Sequence, residues 1–334
     1  MGPVTPGPAV VARGLSLHYP SGRAGLVSLD LTVDPGEVVV ALGPNGSGKS
    51  TLLRVLATDL RPDSGELRLL GRPIERRRPP RDVRRRIGYA PDTPVHIPWL
   101  TGEEHARFLA DVRGGSKERG DALPEILSSF ELDEVRSLPI ASYSFGMRRK
   151  LLLAEALAPA PNLLLMDEPT VGLDPPGMAA LKEAVAGSAG QGCAVVIASN
   201  ETRQVPRWAD RVLFLHGGRV IEDAPPTVLM RRLRGRTRIE IELAGNRSSP
   251  EALDAGKIPG VESWRFLNGS VRVESSSGGS PLPSLIDAVH AAGAAVRDIR
   301  VREPDLGDLF LELTGSPLSS GHGERTPGSG DPRR

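Results

Sequence analysis

A run of residues near the N-terminus has the residue types and spacing that hold a polyphosphate. Residues 43–51 read Gly-Pro-Asn-Gly-Ser-Gly-Lys-Ser-Thr, which fits the phosphate-binding pattern GxxxxGK[ST]. Its glycines let successive backbone N–H groups face an anion. Lys49 adds a charge toward the β- and γ-phosphates, and Ser50 offers a hydroxyl to Mg²⁺. The run therefore predicts a site for a nucleoside triphosphate and Mg²⁺. The predicted nucleotide-binding residues of this loop are Gly43, Pro44, Asn45, Gly46, Ser47, Gly48, Lys49, Ser50 and Thr51.

Two neighbouring carboxylates end an apolar run later in the chain. Residues 163–168 read Leu-Leu-Leu-Met-Asp-Glu. Phosphoryl transfer uses one acidic group to help hold Mg²⁺ and another to orient or deprotonate the attacking water. Because neighbouring residues of a strand point in opposite directions, we predict that Asp167 holds the metal and Glu168 serves the water.

Both motifs need a frame of strands and helices to position them. Up to about residue 234, short β-rich runs alternate with helical stretches, which predicts an α/β domain. The apolar run 37–42, directly before the phosphate loop, is the strand that the motif requires. A helical insert over about residues 100–157 separates the loop from the acidic motif. The other predicted strands cover residues 10–19, 27–33, 66–70, 162–167 and 193–199, with a hairpin over 211–216 and 219–222.

The pattern changes after residue 234. Strands over 237–243, 262–267, 270–274 and 296–301, with helices over 250–255 and 282–292, give the order βαββαβ. That order predicts a small α+β domain of the ferredoxin-like type over 236–315, closed by a helix at 305–313. Residues 316–334 are rich in Gly, Pro and Ser, which predicts a disordered tail.

Composition limits the classes of function. A formal net charge of +1 over 334 residues argues against general binding of polyanions. The sequence shows no signal peptide and no apolar stretch long enough for a membrane span. The single cysteine, Cys193, opens an apolar run and is expected to be a buried structural thiol. We therefore expect a cytosolic protein that reaches a membrane only through a partner.

With these motifs in order, residues 8–234 resemble the nucleotide-binding subunit of ABC transporters, a P-loop NTPase fold. The phosphate loop, residues 43–51, and the acidic motif, residues 163–168, correspond to the two Walker motifs of that family. Residues 142–149, Ser-Tyr-Ser-Phe-Gly-Met-Arg-Arg, stand at the place of the family's signature. Residues 171–174 match its D-loop, which ends at Asp174, and Tyr19 matches the aromatic residue that stacks on adenine. The form of the signature and the small C-terminal domain resemble ATPases of ABC-2-type exporters, including drug and antibiotic exporters.

The resemblance implies a working assembly. Ser144 can cap the helix that follows it, and a helix N-terminus attracts an anion. In the family this end binds the ATP held by a second nucleotide-binding subunit, so the resemblance implies an ATPase that works as a homo- or heterodimer on a separate membrane permease, with ATP and Mg²⁺. The chain would lie on the inner face of the cell membrane. The signature residues so implied are Ser144, Phe145, Gly146 and Met147.

Two positions depart from the family pattern. Asp92 stands where the family usually has glutamine, and it can still bind Mg²⁺ or its water. Asn200 stands where the family has its switch histidine, and its amide can donate a hydrogen bond but cannot titrate. Losing a charged donor costs about 2–4 kcal/mol at the transition state. We therefore expect that Glu168, with Asn200 and Asp92 as altered catalytic positions, supports slow hydrolysis.

Other interpretations remain open from the sequence. A regulatory module, or the degenerate half of a heterodimer, would bind ATP with little turnover, and a soluble ABC protein of translation or chromosome maintenance is a weaker alternative. The arginines of residues 72–86 favour a solvated loop over a surface for anionic headgroups. Trp99 and Leu100 suit either a socket for the permease or the core. The histidines His96, His105, His216 and His290 lack metal-ligand spacing and are interpreted as structural or surface residues.

Overall fold

The structure, a computed structural model, describes residues 7–75, 80–112, 123–233, 236–244, 255–267, 269–276 and 281–318. The chain forms two compact units. The second unit covers Thr227–Gly315, and the first comprises the described residues before and after it. This division falls before the boundary predicted between residues 234 and 236. Apart from residues 316–318, the predicted C-terminal tail lies outside the described residues.

The first unit is an α/β structure, as the sequence predicts. Its strands are β1 Val10–His18, β2 Ala24–Val33, β3 Val38–Leu42, β4 Ser64–Leu69, β5 Arg72–Pro73, β6 Ile87–Ala90, β7 Leu163–Asp167, β8 Ala194–Ser199, β9 Arg211–His216 and β10 Arg219–Ala224. Its helices are α1 Lys49–Leu56, α2 Arg81–Arg84, α3 Gly102–Val112, α4 Leu123–Ser129, α5 Phe145–Leu157 and α6 Pro175–Gly190. Helix α7, Pro226–Arg231, begins at the last residue before the second unit and continues into that unit.

The larger sheet places the two predicted motifs side by side. Its strand order is β10-β9-β3-β8-β7-β6, and all neighbours are parallel except β10 and β9. Strands β3, β7 and β8 are buried along their whole length, which is typical of central parallel strands covered on both faces. Because β8 pairs with both β3 and β7, the carboxyl ends of these strands meet at one edge. Ligands of open α/β sheets bind at such an edge.

A second sheet and one helix complete the core of this unit. Strands β2, β1, β4 and β5 form an antiparallel sheet in that order. The buried residues of β1 include Val10 and Leu15, which share one apolar cluster with Leu52 and Leu53 of α1. Since α1 starts at Lys49, this packing fixes the direction in which the helix presents its N-terminus.

The predicted helical insert contains α3, α4, the 3₁₀ turn Ile140–Ser142 and α5. Helix α5 is buried at every position from Arg149 to Leu157, so it has no solvent-facing stripe. A helix of this kind lies inside the protein rather than on its surface. In the part of the chain that the structure describes, no helix is long and apolar enough to cross a membrane.

The second unit has an antiparallel sheet and its own core. Its strands are β11 Arg236–Ala244, β12 Val261–Leu267, β13 Ser270–Ser276 and β14 Ala295–Arg302, in the order β12-β13-β11-β14. Helices α8 Leu282–Ala291 and α9 Leu306–Thr314 follow the order that the sequence predicts. The helix predicted over 250–255 falls on residues outside the description, except for Ala255 at the start of the 3₁₀ turn Ala255–Lys257. Leu285 and Val289 of α8 share a buried cluster with Ile239 and Val271.

Candidate nucleotide site

The phosphate loop connects the buried strand β3 to helix α1. The helix cap, Gly48, has φ 110°, and no side chain bonds to the free amides of the first turn. Those amides and the positive end of the helix dipole are therefore available to an anion. A Cβ atom at Gly48 would lie 2.5 Å from the carbonyl oxygen of Gly25, so both the conformation and the space require glycine here.

Lys49 lies beneath the loop with only 5% of its side chain exposed. Its ammonium donates to the carbonyl oxygens of Gly43, at 2.6 Å, and Pro44, at 3.3 Å. Burial lowers the pKa of Lys49, while the carboxylates of Glu168 and Asp167 partly restore it. The lysine thus reaches back to the first residues of the loop and holds a positive charge that faces the acidic motif.

Asp167 ends β7 as a buried carboxylate, and its Oδ1 has no hydrogen-bond partner in the described structure. Burial raises the pKa of Asp167, and a hydrogen bond with the Ser50 side chain opposes that shift. A buried oxygen that lacks a partner, beside a hydroxyl, matches the hard oxygen ligands that Mg²⁺ takes. The residues present therefore fit a magnesium ion.

Glu168 has an uncommon backbone conformation. Its φ of 46° lies in the left-handed region, which costs a non-glycine residue about 1–2 kcal/mol. The turn carries the carboxylate toward Lys49, whose Nζ lies 3.8 Å from Oε1. Burial raises the pKa of Glu168, and the charge of Lys49 opposes the shift. Strain of this kind is concentrated at functional sites, where the surrounding structure holds it in place.

Asn200 reaches Glu168 through its backbone. Its N–H donates to Glu168 Oε2 at 3.2 Å, and the Ser199 hydroxyl lies 3.4 Å from the same oxygen. The Asn200 side chain is exposed. Strand β8 thus brings position 200 beside the acidic motif, while its contact with Glu168 is made by the main chain alone.

Tyr19 lies beside the first helix. Its hydroxyl forms a hydrogen bond with Thr51 at 2.9 Å, and its ring packs partly against the core. In the turn before β2, Arg23 donates to the carbonyl oxygen of Gly46 at 3.1 Å. No motif marks Arg23, because a lone arginine in a turn has no signature. It adds a second positive charge above the phosphate loop.

Arg149 joins three parts of the site that the sequence places far apart. Its guanidinium is buried and donates to the backbone carbonyls of Pro91 at 3.0 Å and Asp167 at 2.6 Å. It also donates to the carbonyls of Asp92 and Glu168. The side chain of Asp92 itself is exposed, so the structure fixes its backbone and leaves its carboxylate free to turn.

The signature segment begins helix α5. Ser144 caps the helix, and its hydroxyl accepts from the N–H of Met147 at 3.1 Å. A Cβ at Gly146 would lie 2.9 Å from the Gly172 carbonyl, and the half-exposed Phe145 ring covers Gly172. The signature therefore packs against the D-loop and presents its helix N-terminus with the cap already formed.

Asp174 caps helix α6 by accepting from the N–H of Gly177 at 3.1 Å. Lys150 of α5 donates to Asp174 at 3.2 Å and to Glu131 at 3.1 Å. The hydrogen bond from Lys150 lowers the pKa of Asp174. Within this chain, the D-loop acid thus connects the signature helix to the helix after the acidic motif.

The fold and the site together define a P-loop ATPase: a loop at a helix N-terminus, a buried lysine and two acids meet at the carboxyl edge of one parallel sheet. A family model described as ABC transporter matches residues 26–171. The chain belongs to this family of ATP-binding proteins, as its sequence motifs predict.

Individual relatives support the assignment over nearly the whole chain. The daunorubicin resistance ATP-binding protein DrrA3 of Streptomyces coeruleorubidus is 33% identical over 314 residues, which cover 92% of this chain and 96% of that protein. The Nod factor export ATP-binding protein I of Paraburkholderia xenovorans is 33% identical over 317 residues, covering 93% and 94%. Among solved structures, a dimeric bacterial ABC transporter cassette matches with a TM-score of 0.59 and 25% identity, covering 65% of this chain and 98% of that chain.

Proposed function

We propose that this chain is the ATP-hydrolysing subunit of an ABC-2-type exporter and drives transport through a separate membrane permease. The observation that carries the proposal is the pairing of Lys49 and Glu168, whose charged atoms lie 3.8 Å apart beside the buried Asp167. The names of the relatives, which include an export ATP-binding protein, support the transport class. Contact with the membrane would be peripheral, through the permease.

The residues of the phosphate loop would hold the nucleotide. Loop amides and Lys49 bind the β- and γ-phosphates, and Tyr19 stacks on the adenine. Ser50, Asp167 and Asp92 would hold Mg²⁺, directly or through water. The ion, when bound, would neutralise the charge that develops on the phosphate oxygens.

Glu168 orients the attacking water for hydrolysis. The water oxygen attacks the γ-phosphorus, the bond to the bridging oxygen of ADP breaks, and a water proton passes to Glu168. The Asn200 side chain stands at the position of the family's switch histidine and would donate its amide N–H to the γ-phosphate. Since an amide donor is neutral, we propose a rate lower by about two to three orders of magnitude than with a charged donor.

A second copy or a related subunit would complete the site. The preformed cap at Ser144 and the free amide of Gly146 suit an anion, and Phe145 and Met147 border them. In the proposed dimer they meet the γ-phosphate bound by the other subunit. The matching cassette of known structure is dimeric.

The permease would contact a different part of the chain. Trp99 has 77% of its surface exposed, which favours a place in a socket for the permease over a place in the core.

Steady-state ATP hydrolysis by the purified chain tests this function. We expect E168Q to abolish turnover while ATP-dependent dimerisation, followed by light scattering, persists. N200H should raise turnover. If E168Q hydrolyses ATP as fast as the wild type, the proposed role of Glu168 is wrong.

A second candidate is a regulatory or degenerate half of an ABC pair with little turnover of its own. The exposed Asn200 side chain, which leaves the contact with Glu168 to the backbone, favours it. ATP binding and dimerisation without hydrolysis, unchanged in N200H, would support this candidate and exclude the first.

A further inference from the structure

A buried cluster outside the nucleotide site joins three segments of the helical insert. His96 follows the segment of Asp92, His105 lies in α3, and Glu155 lies in the signature helix α5. Their side chains are only 3%, 3% and 2% exposed. From the sequence, His96 and His105 are interpreted as structural or surface residues, and the structure buries both side chains in one cluster. The fold brings together residues that sequence spacing keeps apart.

The polar atoms of the cluster converge on one point. His105 Nδ1 lies 2.6 Å from Glu155 Oε1, and His96 Nε2 lies 3.5 Å from Glu155 Oε2. The two imidazole rings meet edge to face with their centroids 5.1 Å apart. Neither ring nitrogen of His96 has a hydrogen-bond partner within the described residues, although both are buried. Such a group is costly unless something binds it.

Both histidines contact the Glu155 carboxylate. Burial by itself raises the pKa of Glu155, but its contacts with His105 and His96 hold the pKa below its ordinary value. A carboxylate oxygen and an imidazole nitrogen are among the ligand atoms that zinc takes in proteins.

We propose that His96, His105 and Glu155 form a binding site for a divalent transition-metal ion of the zinc class. One ligand atom from each residue lies within 4.8 Å of the others. Metal–ligand bonds of about 2.0–2.2 Å place neighbouring tetrahedral ligand atoms about 3.3–3.6 Å apart. The His96–Glu155 pair already has this spacing, and small side-chain rotations adjust the other pairs. Two imidazoles and one carboxylate, with a water as the fourth ligand, are a known zinc ligand set.

Metal binding replaces the hydrogen bond between His105 Nδ1 and Glu155 by one metal–nitrogen and one metal–oxygen bond. His105 then carries its single ring proton on Nε2, so that Nδ1 binds the ion as part of a neutral imidazole. Imidazole ligands select zinc-class ions over magnesium, which separates this site from the oxygen ligands at Asp167. The ion would fasten the segment after Asp92 to the signature helix.

Cobalt(II) provides the test, because its visible absorption reports a four-coordinate site with nitrogen ligands. We expect one Co²⁺ per purified full-length chain without nucleotide, displaced by Zn²⁺ and retained in D167N. The variants H96N and H105N should weaken binding by at least tenfold. H290N, at the exposed end of α8, is the matched control and should bind as the wild type does.

Absence of the absorption bands in the wild type overturns the proposal, and so does binding that H96N and H105N leave unchanged. The wild-type spectrum decides the question even where a variant does not fold. Among folded variants, Zn²⁺ should raise the melting temperature of wild type and H290N but not of H96N. A shift of equal size in all three would place the ion elsewhere.

Discussion

Arg149 should contribute more to the stability of the fold than Arg148, its neighbour in helix α5. Its guanidinium donates to the carbonyls of Pro91, Asp92, Asp167 and Glu168. In R149K the ammonium keeps the charge but has three donors on one atom, so at least one of these carbonyls loses its partner.

The magnitude follows from these bonds. A hydrogen bond to a charged group contributes about 1.5–3 kcal/mol, and a buried acceptor left without a partner carries a similar penalty. We expect R149K to lower the free energy of unfolding by about 1.5–3 kcal/mol. R149M, which leaves all of these carbonyls without the guanidinium, should lower it further.

Urea unfolding followed by tryptophan fluorescence measures this difference. The chain has three tryptophans, Trp99, Trp208 and Trp264. The W264F background removes the one in the second unit, so the signal reports the unit that contains Arg149. R148K is the matched control, because Arg148 is only half-buried and adjacent in α5. If R149K unfolds within about 0.5 kcal/mol of R148K, an effect usual for surface changes, the carbonyl contacts do not hold the site together.

Three further outcomes follow from the site. In D167N, without nucleotide or Mg²⁺, removing a buried charge should stabilise the fold by about 1 kcal/mol. Because burial raises the pKa of Asp167 above 3.8, this gain in stability should be full at neutral pH and disappear as the pH falls through the raised pKa. Thermal melts of D167N and the wild type across the pH range would check it. Y19F should bind a fluorescent ATP analogue within about twofold of wild type, whereas Y19A should lose about 1–3 kcal/mol of binding energy; equal loss in both would assign the effect to the Thr51 contact. G48A should lose about 1–3 kcal/mol of stability in the same urea assay, because a Cβ there meets the Gly25 carbonyl at φ 110°; unchanged stability would contradict the strain.

The sequence predicts the phosphate loop and the acidic motif because their chemistry is local. Each motif is a continuous run of residues next to one buried strand. These two strands, β3 and β7, stand out in the sequence as apolar runs. The position of Asn200 beside Glu168 depends on the pairing of β8 with β7. The distance along the chain between the acidic motif and the family's switch histidine is nevertheless enough to indicate that position from the sequence. The short strand Ile87–Ala90 and the helix Pro175–Gly190 are not predicted, since one is brief and the other is rich in small residues without an apolar stripe.

Contacts between distant segments could not be predicted in this way. In the sequence, Arg149 is one more basic residue of the signature. Only the folded chain shows that its guanidinium donates to four backbone carbonyl groups. His105 and Glu155 are 50 positions apart, and each by itself resembles an ordinary helical residue. Such groups meet because α3 and α5 pack together, which sequence periodicity does not specify.

The hydrogen bond from the backbone of Asn200 to Glu168 has a consequence for how the chain can evolve. Every amino acid except proline supplies the same N–H at position 200. Replacement of the side chain therefore leaves the Glu168 carboxylate in place, and under the proposed function only the donor offered to the γ-phosphate changes. Proteins descended from one ancestor could therefore differ at position 200, and so in the proposed rate of ATP hydrolysis, from fast to slow to none, without any other change in the fold.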